Sequence, residues 1–250
     1  MNIAIFQMDI VWKDIAANIK KIRTAAEQMN GKADILVCPE MFTTAYIMHP
    51  NTIPDKVYSD TILELMDIAS KNKIIIAGSL ATKTSTGYTN DFVFINVDGI
   101  SFSYSKIHLF SPAGESEVYF PGEAAGDFIF NDIIIRPMVC YDLRFPYCSY
   151  NTSGYHLLIY TANWPTPRIE HWTALLKARA IENQSYVIGV NRVGRDGNGF
   201  EYPGRSVVFN FNGDELLKMD DTECLEAIFL DFEALNKYRE RLPFLKDQKL

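Results

Sequence analysis

The stretch NIAIFQMDIVWKDIAANIKKIRTAAEQMNGKADILVCPE, residues 2–40, decides the fold class. It opens with a short apolar run of strand length, NIAIFQM (2–8). In DIAANIKKIRTAAEQMN (14–30) the residues Ile15, Ile19, Ile22, Ala26 and Met29 recur at helical spacing, with Asp14 placed to cap the helix and Gly31 to stop it. DILVCPE (34–40) then returns to strand. Strand, amphipathic helix and strand in succession predict an α/β fold.

The alternation continues. A second helix is expected over 59–71, where Ile62, Leu65, Met66 and Ala69 form one stripe, followed by the strand KIIIAGSL (73–80). From residue 88 hairpins take over: 88–99 with 100–110 around Asp98-Gly99, 127–140 around Asn131-Asp132, and 205–220 around Asn212-Gly213. Among them lie the strand HLLIYTANWP (156–165), the helix EHWTALLKARAIENQ (170–184) and the strand SYVIGVNRVG (185–194). Hairpins set within a strand–helix alternation predict a mixed sheet covered by helices. No stretch rich in Pro, Gly or Ser reads as a linker and no repeat is visible, so one domain over 1–250 is expected.

Composition narrows the function classes. With 48% hydrophobic residues the chain can bury a large core, which excludes disorder. Its 24 basic and 31 acidic residues give a net charge of -7 without any cluster of basic and aromatic residues, which argues against nucleic acid and anionic membrane surfaces as partners. No apolar run approaches the length of a membrane span. The opening IAIFQM shows no cleavage-type site, and Cys38, Cys140, Cys148 and Cys224 are widely spaced in a chain too large to need staples. Free thiols in a reducing cytoplasm are expected.

Four strand segments end on residues with chemical capacity: Glu40, Lys106, Cys140 and Asn163. If those strands are neighbours, the residues converge in the crevice beyond the carboxyl ends of the sheet. A cysteine nucleophile needs a base or a cation beside it, because little thiolate exists at neutral pH. Glu40 can take the thiol proton and return it to a leaving group, and Lys106 with the Tyr141 backbone N–H can hold an oxyanion. Each residue alone also has a bland reading, since a lone Cys is most often core and a lone Glu or Lys most often solvated. His49, His108, His156 and His171 show no metal-ligand spacing, and no Cys pair lies two apart, so no metal is expected. His108, two residues after Lys106, fits either a Cys–His dyad or a structural hydrogen bond. There is no G-x-S-x-G elbow, and GRDGNG (194–199) lacks the setting of a phosphate loop.

Taken together, NIAIFQMD, LVCPEMFTT around Glu40, YSKIHLF around Lys106 and MVCYDLRFP around Cys140 resemble the nitrilase, or carbon-nitrogen hydrolase, superfamily over nearly the whole chain. The resemblance implies a four-layer α-β-β-α sandwich with mixed sheets, a homodimer, and neither metal nor organic cofactor. It puts the general base on Glu40, the lysine on Lys106 and the nucleophile on Cys140, and it adds a second glutamate, Glu115 or Glu117, of which Glu115 keeps the better interval to Gly122. Within the superfamily, PEMFTTAY and the segment from Tyr160 to Gly199 are most similar to bacterial ω-amidases, which hydrolyse the terminal amide of 2-oxoglutaramate and 2-oxosuccinamate. Ala45 and Tyr46 depart from the pattern, where Gly and another bulky residue are expected. A small amide carrying a distal carboxylate calls for a cation in the pocket, for which Arg144 and Arg168 are the candidates, with Asn163 and Tyr46 shaping the walls. The same triad would also serve a nitrilase proper or an N-carbamoyl amino-acid hydrolase, and a non-catalytic binding protein is the alternative of another class.

Overall fold

Asp14 caps the first helix as the sequence predicts, its carboxylate accepting the Ala17 N–H at 2.9 Å. In the computed structural model, which describes residues 1–249, the elements follow as β1 (Asn2–Gln7), α1 (Ile15–Met29), β2 (Ile35–Val37), α2 (Asp55–Asn72), β3 (Ile75–Lys83), β4 (Tyr88–Asn96) and β5 (Gly99–Ser105). Next come α3 (Glu115–Val118), β6 (Phe128–Phe130), β7 (Ile133–Val139), β8 (Leu157–Ala162), α4 (Ile169–Asn183) and β9 (Tyr186–Asn191). The last are β10 (Val193–Arg195), β11 (Glu201–Pro203), β12 (Val207–Phe209), β13 (Glu215–Lys218), β14 (Cys224–Phe229) and α5 (Phe232–Arg241).

Two six-stranded sheets result, ordered β14-β1-β2-β3-β4-β5 and β13-β12-β9-β8-β7-β6, beside a small ribbon of β10 and β11. The strand period of two assigns the layers. Ala4 and Phe6 pack with Ile19, Ile22, Leu65 and Ile68 of α1 and α2. Ile3 and Ile5 face the other way, into a core shared with Phe92, Phe94, Met138 and Ile159 of both sheets, and Trp172, Leu176 and Leu235 of α4 and α5 close the far side. The layers are therefore α, β, β and α.

Read from β14, the first sheet pairs antiparallel, parallel, parallel, antiparallel, antiparallel. Read from β6, the second repeats the same pattern. The two halves thus share a topology that left no visible repeat in the sequence. The four chemically capable strand ends are not neighbours along one sheet. Glu40 and Lys106 follow β2 and β5 of the first sheet, Cys140 and Asn163 follow β7 and β8 of the second, and they meet because the sheets stack.

Local departures have local causes. The strand expected over 34–40 ends at Val37, since Pro39 has no N–H to extend the ladder, although the Cys38 N–H still reaches the Ala77 carbonyl at 2.7 Å. The second helix starts at Asp55 rather than 59, directly after Pro54 and before the buried stripe of Thr61, Leu65 and Ile68 begins. The strand expected over 185–194 divides into β9 and β10. Among the described residues no helix is long and apolar enough to cross a membrane.

Gly189 of β9 gives a direct probe of the packing under α4. A Cβ there would press into Leu176 Cδ1 and lie 2.8 Å from Trp172, both fully buried. Gly189→Ala is expected to destabilise the fold by about 1–3 kcal/mol, read as a lower denaturant midpoint at unchanged slope.

Candidate active site

Each strand end delivers its side chain by a defined local device. After β2 the chain stays close to β3, because Gly78 has no Cβ to strike the Cys38 carbonyl, which would be 2.8 Å away. The Met41 N–H then donates to Ser79 Oγ at 2.9 Å, which fixes Glu40 between them. Lys106 leaves β5 with its N–H still bonded to the Asn90 carbonyl at 2.9 Å. Glu115 opens α3 and accepts the Phe110 N–H at 2.6 Å. Cys140 follows β7 directly with φ of +45°, in the left-handed region that a non-glycine residue avoids, and starts a 3-10 turn through Arg144.

These four groups converge. Glu40, Lys106 and Glu115 are all 0% exposed, so no charge among them can be left to solvent. Lys106 Nζ donates to Glu40 Oε1 at 2.9 Å and to Glu115 Oε1 and Oε2 at 3.0 and 2.8 Å. Burial alone would pull the ammonium pKa down, but the Glu115 and Glu40 carboxylates outweigh it and hold Lys106 well above its ordinary value. Two carboxylates and one ammonium leave one excess negative charge in the cluster. The Cys140 thiol sits against that charge: burial, then the Glu40 carboxylate, push its pKa well up despite the opposing Lys106. Cys140 accordingly rests as the thiol.

Asn90 is the member that reading the sequence missed. Its Nδ2 bridges Glu40 Oε1 at 2.9 Å and Glu115 Oε1 at 3.0 Å. The available signal was an amide on the inward face of β4, in register with Phe92 and Phe94. Asn163 holds the other oxygen, its backbone N–H donating to Glu40 Oε2 at 2.9 Å.

Glu40, Cys140, Tyr141 and Asn163 open onto a cavity of about 380 Å³, walled by Tyr46, Phe110 and Trp164. Both candidate arginines line it: Arg144 lies 4.9 Å above the Trp164 ring, and Arg168 lies 5.5 Å from the Phe110 ring. Among the described residues neither pairs with a carboxylate. A further wall comes from the loop between β10 and β11, with Asp196, Asn198 and Phe200, none of which the sequence singled out. Tyr46 stands with Lys106 Nζ 5.8 Å from its ring centre. Ala45 before it has φ of +61°, which explains why glycine is expected at that position.

Other sequence candidates lie elsewhere. Glu117 is exposed on the outer side of α3, away from the cluster. His108 is held by other partners: its Nδ1 contacts Asp142 Oδ1 at 2.8 Å and its ring stacks on Phe145, which makes it a structural hydrogen-bonder. The turn after Cys140 is fixed by Asp142. The Asp142 carboxylate accepts from Tyr104 Oη at 2.8 Å, the Val139 N–H at 3.1 Å and the His108 N–H at 2.9 Å. His108, Asp142 and Cys148 bring three potential metal-ligand atoms within 4.8 Å, a grouping that chain spacing concealed. Their lone pairs and protons are spent on one another and on backbone carbonyls, as expected of a hydrogen-bonded support.

A model of the carbon-nitrogen hydrolase family matches residues 2–227. The chain belongs to the carbon-nitrogen hydrolase family. An omega-amidase YafV from Escherichia coli (strain K12) is 40% identical over 249 residues, covering 99% of this chain and 96% of the relative. A 2-oxoglutaramate amidase from Bacillus subtilis (strain 168) is 31% identical over 98% of this chain and 96% of its own length. Among solved structures, a CN-hydrolase superfamily protein from Xanthomonas campestris, determined with an arsenic adduct in its active site, superposes with a TM-score of 0.91 at 30% identity, covering 100% of this chain and 97% of its own. The nitrilase-type sandwich and the α/β class read from the sequence agree with these findings.

Proposed function

We propose that this carbon-nitrogen hydrolase is an ω-amidase, converting the terminal carboxamide of 2-oxoglutaramate or 2-oxosuccinamate into a carboxylate and ammonia through a thioester on Cys140. The observation that carries the reading is the buried Glu40–Lys106–Glu115 cluster set against the Cys140 thiol at the floor of a small cavity. Two guanidiniums in that cavity, without a carboxylate partner among the described residues, supply what a substrate with a distal carboxylate requires.

Attack by Sγ on the amide carbon is coupled to transfer of the thiol proton to Glu40, so the excess negative charge moves from carboxylate to sulfur to oxyanion without leaving reach of Lys106. The Lys106 ammonium and the Tyr141 N–H, in the first turn of the 3-10 segment where backbone donors lack intrahelical acceptors, receive the oxyanion. Glu40 gives its proton to the departing nitrogen, then draws a proton from water as it attacks the thioester and passes it to the departing Sγ, which restores both the Cys140 thiol and the carboxylate. Glu115 and Asn90 hold Glu40 and Lys106 in place. One catalytic domain, assembled as a homodimer in the cytoplasm, completes the reading; four free cysteines fit a reducing compartment.

Ammonia release from ω-amides, nitriles and N-carbamoyl amino acids, assayed side by side, tests the substrate class: the ω-amides are expected to be preferred, and a nitrile or carbamoyl preference contradicts the reading. Within it, Arg144→Leu or Arg168→Leu is expected to raise KM for 2-oxoglutaramate by about 10- to 100-fold with little change in kcat, because a distal ion pair binds ground and transition states alike. Unchanged KM in both variants removes the arginines from substrate binding.

A further inference from the structure

Two buried polar atoms at the cavity have no hydrogen-bond partner among the described residues, the Tyr46 hydroxyl and Asn163 Oδ1. Asn163 is the more informative, because chemistry fixes which way its amide points. Its Nδ2 donates to the Glu40 carbonyl at 2.9 Å and to Glu40 Oε2 at 3.2 Å. Both partners are acceptors, so the flipped amide would set oxygen against oxygen. Nδ2 therefore faces Glu40 and Oδ1 faces away from it. Asn163 is 7% exposed and lines the cavity with Glu40 and Cys140. An acceptor unused by the fold thus belongs to the residue that anchors Glu40, on the cavity that Cys140 also lines, and an unused buried acceptor is costly unless a ligand satisfies it.

Resting on the amidase reading, the geometry points to Asn163 Oδ1 as the acceptor for an N–H of the leaving carboxamide. In acylation the S–C bond forms, the C–N bond breaks, and the thiol proton reaches nitrogen by way of Glu40, so that RCONH2 and the thiol give the thioester and ammonia. The nitrogen brings two N–H bonds to the site and carries three once Glu40 has protonated it. Its hydrogen bond to Oδ1 becomes charge-assisted as that proton arrives, so it is stronger in the transition state than in the bound substrate. A nitrile offers no N–H, and the leaving oxygen of an ester would set its lone pairs against Oδ1. The asparagine selects carboxamides by attraction and excludes near-isosteric esters by repulsion.

The test compares kcat/KM for 2-oxoglutaramate and for the ω-methyl ester of the same oxo acid in wild type, Asn163→Ala and Asn90→Ala. Asn90 anchors Glu40 from behind and does not line the cavity, so its variant shows what a loosened base alone does to each substrate. Asn163→Ala is expected to lower the amide-to-ester ratio by about 10- to 100-fold beyond any change in Asn90→Ala. Ratios that move alike in the two variants, or an unchanged ratio in Asn163→Ala, overturn the proposal. Melting curves verify folding, and Asn163→Ser, whose hydroxyl is too short to reach the same point, carries the comparison should the alanine variant not fold. A wild type that releases no ammonia from the amide contradicts the amidase reading itself, whereas one that does so while the two ratios move together contradicts only the role of Asn163.

Discussion

Glu40→Gln is expected to lower kcat for the ω-amide by about 10³- to 10⁴-fold, near the upper end of what one general acid–base group contributes. The size follows from reuse: the same carboxylate takes the thiol proton, protonates the leaving nitrogen and activates water. Nothing nearby replaces it, because Glu115 is turned onto Lys106 and the Phe110 N–H, and His108 is held by Asp142. The amide oxygen that remains can still accept from Lys106, but the amide nitrogen then faces the Asn163 N–H, so a melting temperature several degrees below wild type is expected, with the fold retained at assay temperature. Steady-state ammonia release across pH checks the result. A loss of less than about tenfold would mean that another group carries the protons.

Lys106→Met is expected to cost both activity and about 3–5 kcal/mol of stability, because it strands two fully buried carboxylates without their cation. For a chain of this size that is a fall in melting temperature of about 10 °C. Because Lys106 is held well above its ordinary value in the folded protein, the stability it contributes is fully present at neutral pH and is lost only as pH rises through its folded-state value, so the deficit relative to wild type should be undiminished between neutral and mildly alkaline pH. Thermal melts of both proteins over that range check this. A variant as stable as wild type at neutral pH would show that the cluster is not held by charge.

The candidate site residues were legible in the sequence because a strand end is a local event. Glu40, Lys106, Cys140 and Asn163 each follow an apolar run that reads as a strand without knowledge of its neighbours. That they belong to two stacked sheets was not legible from the residues alone, since pairing is set by contacts far apart in the chain. β1 is completed by β14, with Asn2 opposite Phe229. β14 itself escaped notice because it is an edge strand whose residues, CLEAIF, half of them exposed and none fully buried, carry no clean alternation. α5 escaped for a similar reason: Phe232 and Leu235 are its only buried residues, too few to mark a helical stripe. The outer pocket wall was hidden differently, in a Gly-rich loop whose turns are made by Asp196 Oδ1 accepting from the Asn198 and Phe200 N–H groups. Asn90 resembled an ordinary polar strand residue until the two carboxylates it bridges were brought to it from 50 and 25 residues away.

The central claim is a thioester on Cys140, and intact-protein mass after mixing with 2-oxoglutaramate tests it most directly. Wild type, or Glu40→Gln should deacylation be slowed more than acylation, is expected to gain the mass of the acyl group less ammonia, with the adduct mapping to Cys140 and absent from Cys140→Ala, which also releases no ammonia. Turnover retained in Cys140→Ala, or an adduct on Cys38, Cys148 or Cys224 instead, would contradict the account.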